Sequence, residues 1–354
     1  VGHSAMAAGL QPDLGFGSFC GAPLNRATGA EHKDAAWTKA ALENPESRFL
    51  IFSTQKGSTG AAPLLGKQRP LLPVVAWQRG AVFEALGVSL EGHSCNGVPP
   101  IFLGAQGDAQ HFAVLVDKGE EELKGACDVP EGRSLFVSDG MMKLMMIGCD
   151  AGDLTTVGQA FSRITWHKTV LHCGSCGKPT APCDSGTKRK CTACKARFYP
   201  RIDPSCMALV RKASDDACLL VRNKGWPAGM WSCLSGYVEQ GEQVEETIRR
   251  EVFEETRLQV DLSRGVDWLG TQPWPLGPGG KSELMLAAEV VAASEEVKPN
   301  EAELEDARWF GREEVGAMLQ TPWNTEGRPF VPGESSAAHH LLRRWFHRAA
   351  GATS

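Results

Sequence analysis

The sequence predicts an α+β protein with more than one domain, and three observations carry that prediction. Short apolar runs punctuated by glycine-rich turns, with few helices, fill the first third; two Cys-x-x-Cys pairs sit at the middle; a glycine turn feeds a highly charged helix in the second half. At 354 residues the chain is long enough for two or three domains with a substantial core. Hydrophobic and charged contents of 42% and 22% are those of an ordinary globular protein. A formal net charge of -5 gives no general attraction to nucleic acid or anionic membranes. The apolar runs are strand-length, so no membrane association is expected.

In order, 35–43 reads as a short helix and 48–53 as a strand, with further strand-like runs at 71–77, 100–104 and 111–117. Turns such as Gly104-Ala-Gln-Gly-Asp108 between them suggest antiparallel pairing up to about residue 130. Leu154, Val157, Phe161, Ile164 and Trp166 recur at helical spacing over 153–167. Strands follow at 207–211 and 218–222, a charged helix at 243–256, strands at 284–291 and 308–310, and a last helix at 336–348. The domain expectation is a flexible extension over 1–14, an N-terminal domain over 15–168, a segment with the paired cysteines over 169–200 and a domain with the charged helix over 201–350. The chain begins at Val1, so it is read as processed or as a fragment, and Ala352-Thr353-Ser354 is not a clear peroxisomal address.

Of twelve cysteines, Cys173, Cys176, Cys191 and Cys194 form the two pairs, separated by fourteen residues. That spacing supplies four thiolates to one tetrahedral zinc ion, and a closed four-thiolate site is structural. Cys183 lies out of register with both pairs. The other cysteines are scattered, as buried thiols in a reducing, intracellular compartment are; the cytoplasm is favoured, with a peroxisome or other organelle left open. Lys188, Arg189, Lys190, Lys195, Arg197 and Arg201 make the ribbon basic. Phosphate contact is one reading; a solvated positive face is the commoner one.

On the charged helix Glu251, Glu254 and Glu255 stand at i, i+3 and i+4, so their carboxylates share a face. Like charges held that close call for a cation, and Mg²⁺ or Mn²⁺ suits carboxylate oxygens plus substrate phosphates. Arg250 and Glu242 are placed to pair across two turns, while Glu245 and Glu246 read as solvated.

The stretch Gly236 to Leu258 resembles the Nudix box, Gly-x5-Glu-x7-Arg-Glu-apolar-x-Glu-Glu-x-Gly-apolar, with one departure: Arg257 stands where the family has its last glycine. That glycine ends the helix in a left-handed conformation, which costs another residue roughly 1 kcal/mol or more, so a shifted helix end is expected. The four-cysteine ribbon, Tyr199-Pro-Arg-Ile-Asp-Pro204, Gln272-Pro-Trp-Pro275 and Ser336-Ala-Ala338 resemble the NADH pyrophosphatase branch of that family. After Pro275 the chain departs again, with a longer glycine-rich loop at 276–281 and no phenylalanine.

The resemblance implies a Nudix α/β/α sandwich preceded by an N-terminal α+β domain and the ribbon. It also implies metal-dependent hydrolysis of the diphosphate bond of NADH and NAD to nicotinamide mononucleotide and AMP. Glu251, Glu255 and Glu303, with the Ser235 carbonyl, would hold Mg²⁺ or Mn²⁺, with Glu254 close by; by sequence alone Glu301 and Glu305 are equal candidates to Glu303. The general base is not assigned among the glutamates. Tyr199, Tyr237, Gln272, Pro273, Trp274, Ser282 and Ala338 would surround the dinucleotide, although Trp274 and Tyr199 also read as plain core aromatics. A homodimer is implied. Two alternatives remain: removal of an NAD cap from RNA by the same site, and a non-catalytic zinc-ribbon and Nudix binding module.

Overall fold

A computed structural model describes residues 21, 23–26, 31–56, 60–68, 72–129, 133–138, 149–277, 280–322, 325 and 327–348. The expected extension over 1–14 and the residues 352–354 lie outside these. The described residues form two compact units, one within Phe19–Ile202 and Trp274–Ser282, the other within Asp203–Pro273 and Glu283–Ser354.

The first unit is built on strands β1 (Arg48–Ser53), β2 (Ala62–Gln68), β3 (Leu72–Val75), β4 (Ile101–Gln106), β5 (Ala109–Val116) and β6 (Arg133–Val137). Their order is β3-β2-β1-β5-β4, with β6 added against β2. Two expectations need correction here. The sheet is mixed rather than antiparallel, because β1 and β5 run parallel from Arg48↔His111 to Ser53↔Val116; over fifty residues separate them, room for the crossover that parallel strands need. The sheet also continues past residue 130, since β6 pairs with β2.

Helices α1 (Ala35–Glu43), α2 (Ala81–Ala85) and α3 (Glu120–Ala126) precede the long α4 (Ala151–Thr169). Successive residues of β1 point to opposite faces. Leu50 and Phe52 join Leu154, Val157, Phe161 and Ile164 of α4, whereas Phe49 and Ile51 join Val82, Phe83 and Leu123. A strand buried on both faces explains why Phe49-Leu50-Ile51-Phe52 is an unbroken apolar run and not an alternating one.

The ribbon belongs to this unit: β7 (Thr180–Cys183), β8 (Lys188–Cys191) and β9 (Arg197–Phe198) form a three-stranded sheet. The Sγ atoms of Cys173 and Cys194 lie 3.6 Å apart, and those of Cys176 and Cys191 3.5 Å. All four ligand atoms fall within 4.8 Å of one another. A tetrahedron of Zn–S bonds has sulfur–sulfur edges of about 3.8 Å, while a disulfide would close to about 2 Å. The cluster therefore has the shape of a four-thiolate zinc site, and Cys183 stands outside it.

The basic ribbon is not one solvated face. Arg189 is 2% exposed. Its guanidinium donates to the Gly97 carbonyl at 2.7 Å, the Thr180 carbonyl at 2.9 Å, the Thr180 hydroxyl at 2.8 Å and His167 Nδ1 at 2.9 Å. Arginine has no acceptor atom, so His167 accepts at Nδ1 and donates from Nε2 to the Gly186 carbonyl, 2.7 Å away. Burial, with the neighbouring arginines, holds this imidazole down at about 4, which keeps it in the accepting form. At Gly186, φ is 73° and a Cβ would meet the Pro100 carbonyl at 2.6 Å, so a side chain would be excluded twice over. Lys188 pairs with Asp184, while Lys190, Lys195, Arg197 and Arg201 are exposed.

The second unit holds β10 (Ile202–Arg211), β11 (Ala217–Asn223), β12 (Leu234–Tyr237), β13 (Asp267–Gly277), β14 (Lys281–Val291) and β15 (Leu304–Gly311) in the order β13-β14-β10-β11-β15, with β12 against β10. Residues 274–277 of β13 and 280–282 at the start of β14 group with the first unit. Helix α5 (Val244–Thr256) lays Ile248 and Val252 on a core with Ala208, Val210, Val221 and Leu234. Helices α6 (Arg312–Gln320) and α7 (Ala337–His347) pack on each other. Among the described residues no helix is long and apolar enough to cross a membrane.

Replacing Arg189 by Leu leaves one buried and one half-buried carbonyl and an imidazole nitrogen without this donor, each costing about 1–3 kcal/mol. Denaturant unfolding should show the first unit destabilised by about 3 kcal/mol or more, whereas Lys190→Leu, at an exposed neighbour, should change little.

Candidate active site

The charged helix brings its glutamates to one place from purely local geometry. Gly236 and Tyr237 end β12, the chain turns through 238–243, and α5 runs back beside the strand. Glu251 reaches the strand so closely that a Cβ on Gly236 would lie 1.9 Å from its carboxyl carbon. No side chain fits there, which gives the first glycine of the box a steric cause.

Arg250 holds the loop to the helix. Its Nε donates to Glu242 Oε1 at 2.6 Å, and one terminal nitrogen donates to Glu242 Oε2 at 3.0 Å and to the Tyr237 carbonyl at 2.9 Å. The other reaches Glu251 at 2.8 Å and Glu254 at 3.2 Å. Arg250, with backbone and Thr247 donors beside it, holds the Glu242 carboxyl down at about 2. The pairing of Arg250 with Glu242 expected from spacing is thus present, and it extends to the cluster itself.

Glu255 is different. It is 7% exposed, and its Oε2 has no hydrogen-bond partner. Burial first, then the charges of Glu251, Glu303 and Glu254, push its carboxyl up to about 8. Burial also raises Glu251, against the pull of Arg250. Glu303 comes near because residues 298–303 hang on the last turn of α5: Lys298 N donates to the Thr256 carbonyl at 2.8 Å and Asn300 N to the Glu255 carbonyl at 2.7 Å. Glu305 instead pairs with Arg222 Nε at 3.0 Å, and the Glu301 carbonyl is taken by Lys224. Ser235 lies on β12 opposite Met207, two residues before Tyr237. The glutamate oxygens are not gathered as tightly as the sulfurs; among the described residues only the cysteines bring three or more ligand atoms within 4.8 Å.

Arg257 does not displace the helix end. It adopts φ 59° and ψ 6°, the left-handed conformation of the family's glycine, and its N–H closes the turn on the Phe253 carbonyl at 2.8 Å. Its guanidinium lies 5.2 Å over the Phe253 ring, a contact that offsets part of the backbone strain.

The expected pocket residues divide between the units. Tyr237 is exposed, and its hydroxyl donates to Glu283. Gln272 is 1% exposed, with its amide spent on the start of α7: Nε2 donates to the Ser335 carbonyl at 2.7 Å and Oε1 accepts from Ala337 N at 2.9 Å. Ala338 is buried beside that bond, and Pro273 is exposed. Tyr199, Trp274 and Ser282 lie in the first unit. There Trp274 packs on the core that includes Leu50 and Phe161, and Tyr199 is 55% exposed with Lys188 over its ring at 5.2 Å.

A family model described as NUDIX domain matches residues 202–333. The NAD-capped RNA hydrolase NudC of Pseudomonas fluorescens is 31% identical over 234 residues, covering 65% of this chain and 74% of that protein. The chain belongs to the Nudix family. Its match to that NudC puts it among the NudC-like members of the Nudix proteins. Nudix hydrolase 19, chloroplastic, of Arabidopsis thaliana is 33% identical over 291 residues, 70% of this chain and 65% of the other. The human NAD(P)H pyrophosphatase NUDT13, mitochondrial, is 33% identical over 235 residues, 65% of this chain and 62% of the other. The chain thus spans less than two thirds of the length of these last two relatives.

Two outcomes follow from the Nudix helix. A carboxyl raised on folding favours the folded state below its unfolded pKa, and that advantage is lost as pH rises through the folded value. In buffer without added Mg²⁺ or Mn²⁺, the second unit should lose about 4 kcal/mol between pH 4.5 and 8 through Glu255; Glu255→Gln should flatten that slope. Arg257→Gly should raise stability by about 1 kcal/mol, read by denaturant midpoint, because glycine meets no Cβ penalty at this φ.

Proposed function

We propose that the chain hydrolyses the diphosphate bond of NADH and NAD, giving nicotinamide mononucleotide and AMP, with Mg²⁺ or Mn²⁺ at the Nudix helix. The observation that carries this reading is Glu255: a buried carboxyl with one unpartnered oxygen, under the charges of three further carboxylates, in the helix of a Nudix box. Such a group is costly as it stands and fits a cation. Glu251, Glu255 and Glu303, with the Ser235 carbonyl, would hold the ions, and Glu254 stands at their exposed edge. When bound, divalent ions neutralise diphosphate oxygens and lower the pKa of water.

The chain's own residues do the rest. Arg250 fixes Glu251 and ties the loop to the helix, so the carboxylates meet the substrate without rearranging. Glutamates of the cluster supply the acceptor for the water proton. Tyr237 offers a flat aromatic face to a nucleotide ring. Gln272 and Ala338 act through the position of α7, since both are buried. The four-thiolate site is closed, so zinc there would brace the ribbon only. Exposed Tyr199 is available to a second copy, in keeping with a homodimer. The free thiols of the described cysteines fit an intracellular compartment.

Cap removal from NAD-capped RNA is the second reading, favoured by the names of relatives such as NudC and by the exposed Lys190, Lys195, Arg197 and Arg201. The non-catalytic alternative loses the shifted helix end on which it partly stood.

A panel of NADH, NAD, ADP-ribose, diadenosine polyphosphate and capped RNA, each with Mg²⁺ and Mn²⁺ and read by product identity, tests this. NADH should give nicotinamide mononucleotide and AMP faster than ADP-ribose is cleaved, and Glu255→Gln should lower kcat about a hundred-fold or more. Equal rates on NADH and ADP-ribose would remove the assigned specificity.

A further inference from the structure

Tyr237 is the box residue next to Gly236, and its carbonyl is one of the acceptors of Arg250. Its ring is 40% exposed, but its hydroxyl turns inward to Glu283 Oε1. Glu283, at the start of the second unit's part of β14, is 6% exposed. Its other oxygen accepts from the Ser205 hydroxyl at 3.2 Å. Ser205 is the register partner of Tyr237 across β10 and β12. Asp203, two residues earlier on β10 and 8% exposed, bears electrostatically on the same phenol. The tyrosine hydroxyl is the donor in this bond and the Glu283 carboxylate the acceptor.

Among the described residues Glu283 has no cationic partner; neutral hydroxyls alone satisfy it. A carboxylate at the hydroxyl end of an aromatic ring makes the potential over the ring face more negative, and a phenol in a charge-assisted bond to it is more electron-rich. Such a face attracts a ring that carries positive charge. The two forms of a nicotinamide dinucleotide differ in this respect: the oxidised ring is a pyridinium cation and the reduced ring is neutral.

We infer that the Glu283–Tyr237 pair is a specificity element that favours the cationic, oxidised nicotinamide ring over the dihydro form. This rests on the proposal that Tyr237 lies against the dinucleotide. Glu283 touches the ring only through Tyr237, so it is a positioning and charge-setting residue. Sequence spacing could not reveal it, because residues 205, 237 and 283 meet only through the sheet.

The test is binding without turnover. NADH fluorescence titration and its competition by NAD⁺, in buffer without Mg²⁺ or Mn²⁺, give the two dissociation constants for the native chain, Glu283→Gln and Tyr237→Phe. Glu283→Gln keeps the shape and an acceptor for the phenol but removes the charge; Tyr237→Phe keeps the ring but breaks the contact. The ratio Kd(NADH)/Kd(NAD⁺) should fall about five-fold in Glu283→Gln, and in the same direction in Tyr237→Phe. An unchanged ratio in both variants overturns the inference even where the native chain hydrolyses dinucleotides. Conversely, a shifted ratio in a chain that shows no hydrolysis upholds it while the proposed activity falls.

Discussion

Glu255 carries the constraint around which the second unit is arranged. A carboxyl at 7% exposure, with Oε2 unpartnered and Glu251 and Glu303 facing it, is disfavoured as an anion by burial and by its neighbours. Each surrounding feature keeps that arrangement in place. Gly236 leaves the room that Glu251 occupies. Arg250 fastens Glu242, Glu251 and the Tyr237 carbonyl to one guanidinium. The segment 298–303 is hung on the carbonyls of Glu255 and Thr256, so Glu303 is delivered by the same helix whose charge it opposes. Strain of this kind persists where function needs it.

The two candidate metal centres follow opposite logic. In the ribbon four sulfurs converge, and the hairpin that carries them is stapled from within by Arg189 and His167. That centre is closed and rigid, suited to stability. On α5 the carboxylates stand more openly, with Glu254 and Glu303 exposed and Glu255 buried. A site of that form keeps positions for water and phosphate oxygens.

What the sequence made legible was local. The box, the paired cysteines and helices such as Ala35–Glu43 are written in neighbouring residues, and their spacing alone implies which side chains meet. Intrinsic preference disfavours Arg257 at a left-handed helix end, and the fold holds it there all the same. Arg189 is indistinguishable in sequence from its exposed basic neighbours, since nothing beside it announces Gly97 or His167 as partners. The parallel pairing of β1 and β5 was hidden because a run buried on both faces carries no alternation. Glu283 and Ser205 lie 78 residues apart, and only sheet register joins them.

Proton release on Mn²⁺ binding at pH 7 tests the central claim most directly, measured by calorimetry in buffers of different ionisation enthalpy. With Glu255 protonated before the ion arrives, about one proton per chain should be released, and the release should vanish in Glu255→Gln. Binding of Mn²⁺ with no proton release by the native chain, or with equal release by both, would contradict the account.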